Sequence, residues 1–337
     1  MKKIFGLLIS LIIVSNLYVC ASSIEVQPTM MSRSNEQDRV WVGTFQLVWN
    51  DFMDKVVHNP VRFREGTPVF VQELNKQTFT ADNLSEKSYY KMAGRVTKKT
   101  KKQIAKAIKK KFKETSDLLD KLNLTPRNDM LIVYAMLKKD FEFAQAFDKL
   151  GKSAFGEDQT AEYFGINGTS KNALDSGVEV LFYNSEEDFA IKLLTKDNEE
   201  VLLYKNSSNK PFSFLYSDML KKEKAFEGDK IFNNVDELKV PNIKLNEEKS
   251  FDELTGKRIM GTNLVINQAM ETIKFNMDNK GVDLKSEAAM TVMKMSVLPD
   301  VQPRMFYFDD TFVLFLREAK KNKPYFALRV HDITLYQ

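Results

Sequence analysis

Cysteine is almost absent from this chain of 337 residues: Cys20 is the only one. A single thiol cannot close an intramolecular disulfide, so a disulfide scaffold is excluded. Histidine is nearly as scarce, with His58 and His331 alone. Neither has a second histidine or a carboxylate at metal-ligand spacing, so no metal site is expected and no cofactor is implied. No Gly-x-Ser-x-Gly turn or phosphate-cradling glycine loop occurs, and an enzyme is not expected. With 13 Gly and 9 Pro, collagen-like and low-complexity readings fail. The formal charge of +4 is too small to call for a nucleic-acid partner.

Long apolar runs are missing too, and the one at the start is short. Lys2 and Lys3 precede the eleven residues Ile4 to Val14, which are apolar but for Gly6 and Ser10. This charged, apolar and then small-residue order reads as a secretory signal over residues 1–22, cut after Ala21. Two other fates stay open: an uncut anchor, or a lipid on Cys20. After the cut the charge falls from +4 to +2 by loss of the two lysines, and no thiol remains. A secreted or extracytoplasmic protein, held by packing alone, is the expectation. No other stretch reaches about 18 apolar residues, so no transmembrane segment is expected after cleavage.

Residues 23–38 are polar and read as a flexible lead-in, followed by a single domain over 39–337. Phe45, Trp49, Phe52 and Val56 recur at helical spacing, and Pro60 ends that helix. From Arg95 to Lys113, ten of nineteen residues are basic and none is acidic. Ile104, Ile108, Phe112 and Leu119 mark one apolar stripe of a long helix with a basic outer face. A second helix is expected over 130–150. Beyond Gly151, the runs 178–183, 189–195 and 200–204 are rich in Val, Leu, Phe and Tyr and read as antiparallel strands. Residues 212–224 read as helix, and 238–245, 269–277, 311–317 and 325–330 as further strands. Helices thus lead and strands follow, which is the order of an α+β fold.

The last hundred residues carry a family resemblance. Leu238-Lys-Val-Pro-Asn-Ile-Lys-Leu245 with Phe251-Asp-Glu-Leu254 resembles the strand and helix of the serpin family. The run Asn267 to Gly281 resembles the strand leading into the serpin reactive loop, and Ser286-Glu-Ala-Ala289 its hinge. Phe308 to Arg317 and Tyr325 to Val330 are similar to the closing strand pair. The resemblance implies helices packed on a large, mostly antiparallel sheet, with an exposed loop near 282–303. It also implies inhibition of a serine or cysteine protease by a monomer: the loop is cut and its freed part inserts as a strand.

The residues meet that demand. Val282, Leu284, Ser286, Ala288, Met290 and Val292 are uncharged, whereas the charges of Asp283, Lys285 and Glu287 all take the other parity. A strand inserting with one face inward needs this alternation. The fourteen steps from Gly281 to Met295 span about 46 Å as a strand. Two placements are open. Gly281 as the hinge glycine puts the cut at Lys294, Met295 and Ser296; Ser286, Glu287, Ala288 and Ala289 as the hinge move it toward Pro299. A plain helix is a further alternative, since Leu284, Ala288, Val292 and Met295 also share a helical face. The basic segment has two readings as well. Lys98, Lys99, Lys101, Lys102, Lys106, Lys109, Lys110 and Lys113 form either a solvated face or an anion-binding surface for a polyanion. No aromatic residue interleaves them before Phe112, so base stacking is not expected.

Overall fold

The computed structural model describes residues 23–125, 130–168, 177–282 and 302–337. The chain opens with β1 (Glu25–Val26) and β2 (Arg39–Val42), then α1 (Gly43–Phe52), a π-helical turn (Met53–Val57) and α2 (Val69–Leu74). β3 (Tyr89–Arg95), α3 (Thr100–Phe112), β4 (Leu131–Leu137) and β5 (Phe141–Glu142) follow. Next come β6 (Asp148–Phe155), β7 (Gln159–Ile166), β8 (Val178–Ser185), β9 (Asp188–Leu194), β10 (Glu199–Lys205) and α4 (Phe212–Ala225). The rest is β11 (Glu237–Pro241), β12 (Ile243–Ser250), β13 (Met270–Met277), β14 (Gly281–Val282), β15 (Met305–Tyr307), β16 (Phe312–Glu318) and β17 (Phe326–Val330). The architecture is α+β.

The main layer is a seven-stranded sheet in the order β1-β2-β17-β16-β10-β9-β8. All its pairings are antiparallel except β1 with β2. The short polar runs at 184–188 and 196–198 make β8, β9 and β10 a meander, as their composition predicts. Phe312–Leu316 and Phe326–Val330 are buried at every position, because layers cover both faces. On one side Phe212 and Tyr216 of α4 pack edge-on against Phe315. On the other, Phe275 of β13 stacks on Phe326, and Phe306 and Phe308 meet Phe189. A four-stranded sheet, β15-β11-β7-β6, and three two-stranded pairs complete the β structure.

Several expectations are corrected. The predicted helix at 130–150 is strand: β4, β5 and the start of β6. Its unbroken apolar run carries no helical period, and cover on both faces decides for strand. The basic helix stops at Phe112, since Lys113 turns into the left-handed region (φ 61°), and Leu119 packs from a separate turn. Residues 238–245 form two strands in different sheets, broken at Asn242, and 251–254 is a set of turns rather than a helix. Residues 23–38, read as flexible, contribute β1 and bury Gln27, Thr29 and Asp38.

Candidate functional site: a cleft between two strand pairs

Among the described residues β4 has a strand partner only in β3, and β13 only in β12. Between the two pairs lies a cavity of about 1150 Å³, lined by every residue of 130–140 and of 263–276. Residues of both parities line it on each wall. The walls are therefore strand edges, with main-chain groups along the gap, rather than strand faces. Thr44, Phe45, Val48, Trp49 and Phe52 of α1 form the floor. Unpaired edges of this kind invite another strand.

α3 lies on the opposite face of the β3–β4 pair. Ile104 and Ile108 are buried against Val96, Ile132, Tyr134 and Leu119. The segment after α3 then crosses the gap. Ser116 Oγ and Tyr134 Oη of β4 are 2.9 Å apart, while Asp117 pairs with Lys274 of β13 at 2.8 Å. Farther on, Lys121 pairs with Glu248, and Asn123 N donates to Gln268 Oε1 at 2.9 Å. The strap is thus tied to both walls.

At one end of the cleft the chain turns back. β14 pairs with β5, the Phe147 N–H donates to Asn279 O at 2.8 Å, and Phe143 N–H to Lys280 O at 2.9 Å. Gly281 (φ 143°) is needed here: a Cβ would sit 2.5 Å from Phe141 O. The same end carries an ion cluster. Lys139 Nζ lies 2.5 Å from both Glu199 Oε1 and Glu318 Oε1, over the ring of Tyr325. Tyr325 Oη donates to Glu199 Oε2 at 2.9 Å, and Ser85 N–H to Glu318. Burial raises the Glu199 carboxyl despite the lysine beside it.

One more polar group sits on the floor. Glu271 is on the inward face of β13 with Ile273, Phe275 and Met277. Its Oε1 accepts from Phe45 N–H, in the first turn of α1, at 3.2 Å. Its Oε2 is buried without a protein partner. Burial pushes its pKa up to about 8, against a smaller lowering by the Phe45 N–H.

Of the loop residues singled out in the sequence, Leu284, Ser286, Glu287, Ala288, Ala289, Lys294, Met295 and Ser296 lie outside the described residues. Val282 is placed, as the second residue of β14. The leader and Cys20 also lie outside. The basic residues are brought together: Lys98, Lys99, Lys102, Lys106, Lys109, Lys110 and Lys113 are exposed on and beside α3. Lys101 pairs with Asp120, and Lys111 turns back to Glu86 O and Tyr89 O. His58 takes a left-handed turn after the π turn, and His331 Nδ1 meets Thr311 Oγ1 at 2.7 Å. Asp38 bonds the His331 main chain rather than its ring, so no relay is formed there. No cluster of metal-ligating side chains occurs among the described residues. Sequence reasoning missed one cleft wall, β4, and missed Glu271. The adjacent β-branched pair Ile132-Val133 was the available signal for the first; nothing local marks the second.

No family model and no curated protein matches the sequence. Among solved structures the chain is similar to Serpin48, a highly specific serpin of the insect Tenebrio molitor. Identity is 14%, the TM-score 0.46, and the match covers 88% of this chain and 92% of that one. It is also similar to human thyroxine-binding globulin complexed with thyroxine, at 11% identity and a TM-score of 0.47, over 84% and 94% of the two chains. A second structure of thyroxine-binding globulin matches at 12% identity and a TM-score of 0.42, over 74% and 77%. The chain is similar to serpins over most of its length, at low identity. No described helix is long and apolar enough to cross a membrane.

Proposed function

We propose that this protein is an exported, monomeric inhibitor of a serine or cysteine protease, acting by loop cleavage and strand insertion. The single observation that carries this reading is the cleft: two strand edges, unpaired among the described residues, on either side of a cavity of about 1150 Å³. The leader 1–22 is removed, and residues 39–337 act as one unit with 23–38 packed on it. The protease cuts near Lys294, Met295 and Ser296. The freed segment enters between β4 and β13, and its main chain gains hydrogen bonds on both edges. Gly281 and Val282, held on β5 at the cleft's end, deliver it there. Val282, Leu284, Ser286 and Ala288 take the inward parity over α1, and Glu287 and Ala289 the outward one.

Incubation with trypsin-like, chymotrypsin-like and elastase-like proteases tests this. An adduct that survives SDS, and a cleaved form melting far above the intact protein, are expected. Simple cleavage with no adduct and an unchanged melting temperature would refute inhibition.

A second reading is favoured by a separate observation, the exposed lysines of α3. In it the scaffold is a non-inhibitory binding protein that holds a polyanion through Lys98, Lys99, Lys101, Lys102, Lys106, Lys109, Lys110 and Lys113. Salt-dependent retention on a sulfated-polysaccharide column, lost on reversing Lys106, Lys109 and Lys110 to glutamate, is the expected result. Unchanged retention of that variant would remove this reading.

A further inference from the structure

Glu271 is a carboxyl in a place built for apolar side chains. Its neighbours on the inward face of β13 are Ile273, Phe275 and Met277, and Phe45, Val48 and Trp49 of α1 lie beside it in the cleft lining. One oxygen is occupied by the Phe45 N–H; the other has no protein partner. That oxygen is shielded from solvent before any strand is seated between β4 and β13. An ionised carboxylate there would be buried with one oxygen unpaired, which is costly. A protonated one is a hydrogen-bond donor on the cleft floor.

We infer that Glu271 is the polar recognition group of the cleft floor: it holds a proton near neutrality and through it donates a hydrogen bond to an acceptor on the inward face of an extended peptide strand that enters the cleft. The inference rests on the strand-insertion reading above and adds to it a proton and a specificity element. The raised pKa of Glu271, about 8, agrees with a carboxyl that holds its proton near neutrality.

The other charged groups around it are engaged or solvated. Asp51, at the end of α1, is held by Lys55 and Lys91. Lys139 is held by Glu199 and Glu318, and Lys274 by Asp117. Tyr134 bonds Ser116, and Tyr325 bonds Glu199. Arg95, Glu114, Asp252 and Glu253 are exposed, and Lys138 pairs with Glu114 and Asp140. On β12, Lys249 stands opposite Glu271 in register and Glu247 opposite Ile273, and both are half-exposed. Neither Glu271 oxygen is bonded to Lys249, and burial raises the Glu247 carboxyl while leaving it partly in solvent. Glu271 therefore carries the proton linkage of the floor.

The test uses the intact, full-length protein and a fluorescent synthetic peptide with the sequence of residues 282–296, added in trans. For the native protein, Kd is expected to be flat below about pH 7.5 and to weaken about tenfold per pH unit well above about pH 8. Glu271→Gln keeps an acceptor for Phe45 N–H and supplies a permanent donor, so its Kd should be independent of pH over the same range. An infrared band of a protonated carboxyl should also grow in the native protein when peptide is added at about pH 9. That band keeps the question open to test if the variant folds poorly. A pH dependence that persists in Glu271→Gln, or no pH dependence and no carboxyl band in the native protein, overturns the inference while leaving insertion standing. Absence of peptide binding at every pH overturns both.

Discussion

The seven-stranded sheet and the divided pair of small sheets handle the same chemistry in opposite ways. In the large sheet the inner strands are paired on both edges, and Phe312–Leu316 of β16 and all of β17 are buried on both faces. In the divided region β4 and β13 each present to a cavity an edge that is bare among the described residues, bridged by a strap whose contacts are ion pairs and hydrogen bonds. The first has no further pairing to gain along its centre; the second has a whole strand's worth. An edge left bare next to a polar strap is a poor way to maximise stability.

The contrast can be broken from either side. Phe315→Ala empties a fully buried site between α4 and the large sheet, and should lower the unfolding free energy by about 3–5 kcal/mol in a denaturant titration. Val133→Ala on the cleft wall, half-buried and beside a cavity already present, should cost well under half of that in the same titration. Equal losses would mean that the divided region is as tightly packed as the sheet. Lys139→Ala removes the cation between Glu199 and Glu318, which are about as buried as the lysine itself (side-chain exposures 10%, 7% and 9%). A loss of about 3 kcal/mol is expected at neutral pH. It should shrink in acid, where the stranded carboxylates can be protonated; a loss independent of pH would show that the lysine acts through packing alone. Gly281→Val places side-chain carbon against Phe141 O and should undo the β14–β5 pairing for about 1–3 kcal/mol. Hydrogen exchange would register it as faster exchange of the Phe143 and Phe147 amides, with the β16 and β17 amides unchanged. Smallest of all, reversing Lys106, Lys109 and Lys110 to glutamate should leave stability within about 0.5 kcal/mol, because all three are exposed and unpaired among the described residues.

How much of this could be read in advance depended on how local the cause was. The hairpins of β8 to β10 were legible because polar turns punctuate apolar runs. So was α3, where Ile104 and Ile108 recur once per turn in a field of lysines. The stretch Met130 to Leu137 reads as helix in the sequence and is strand in the fold, since an unbroken apolar run fits either element until its neighbours are known. The strands β6 and β7 were passed over: Gly151, Gly165 and interspersed polar residues dilute their alternation, and their pairing with each other and with β11 supplies what the local pattern lacks. At the candidate site, Gly281 is legible only through the family resemblance, as one of two placements of the hinge; its backbone requirement comes from the approach of Phe141 O. Glu271 is not legible, because its burial comes from α1, more than two hundred residues earlier in the chain.

Taken alone, the order of residues settled what neighbours in the chain can settle: turn positions, the apolar stripe of α3, the thiol-poor composition and the alternation of charge beyond Gly281. Which strand edges found partners and which stayed bare was decided only in the folded molecule. So was the ionisation of the carboxyl beneath the gap. Pairing and desolvation depend on groups brought together from distant segments, and no local pattern encodes a partner that fails to arrive.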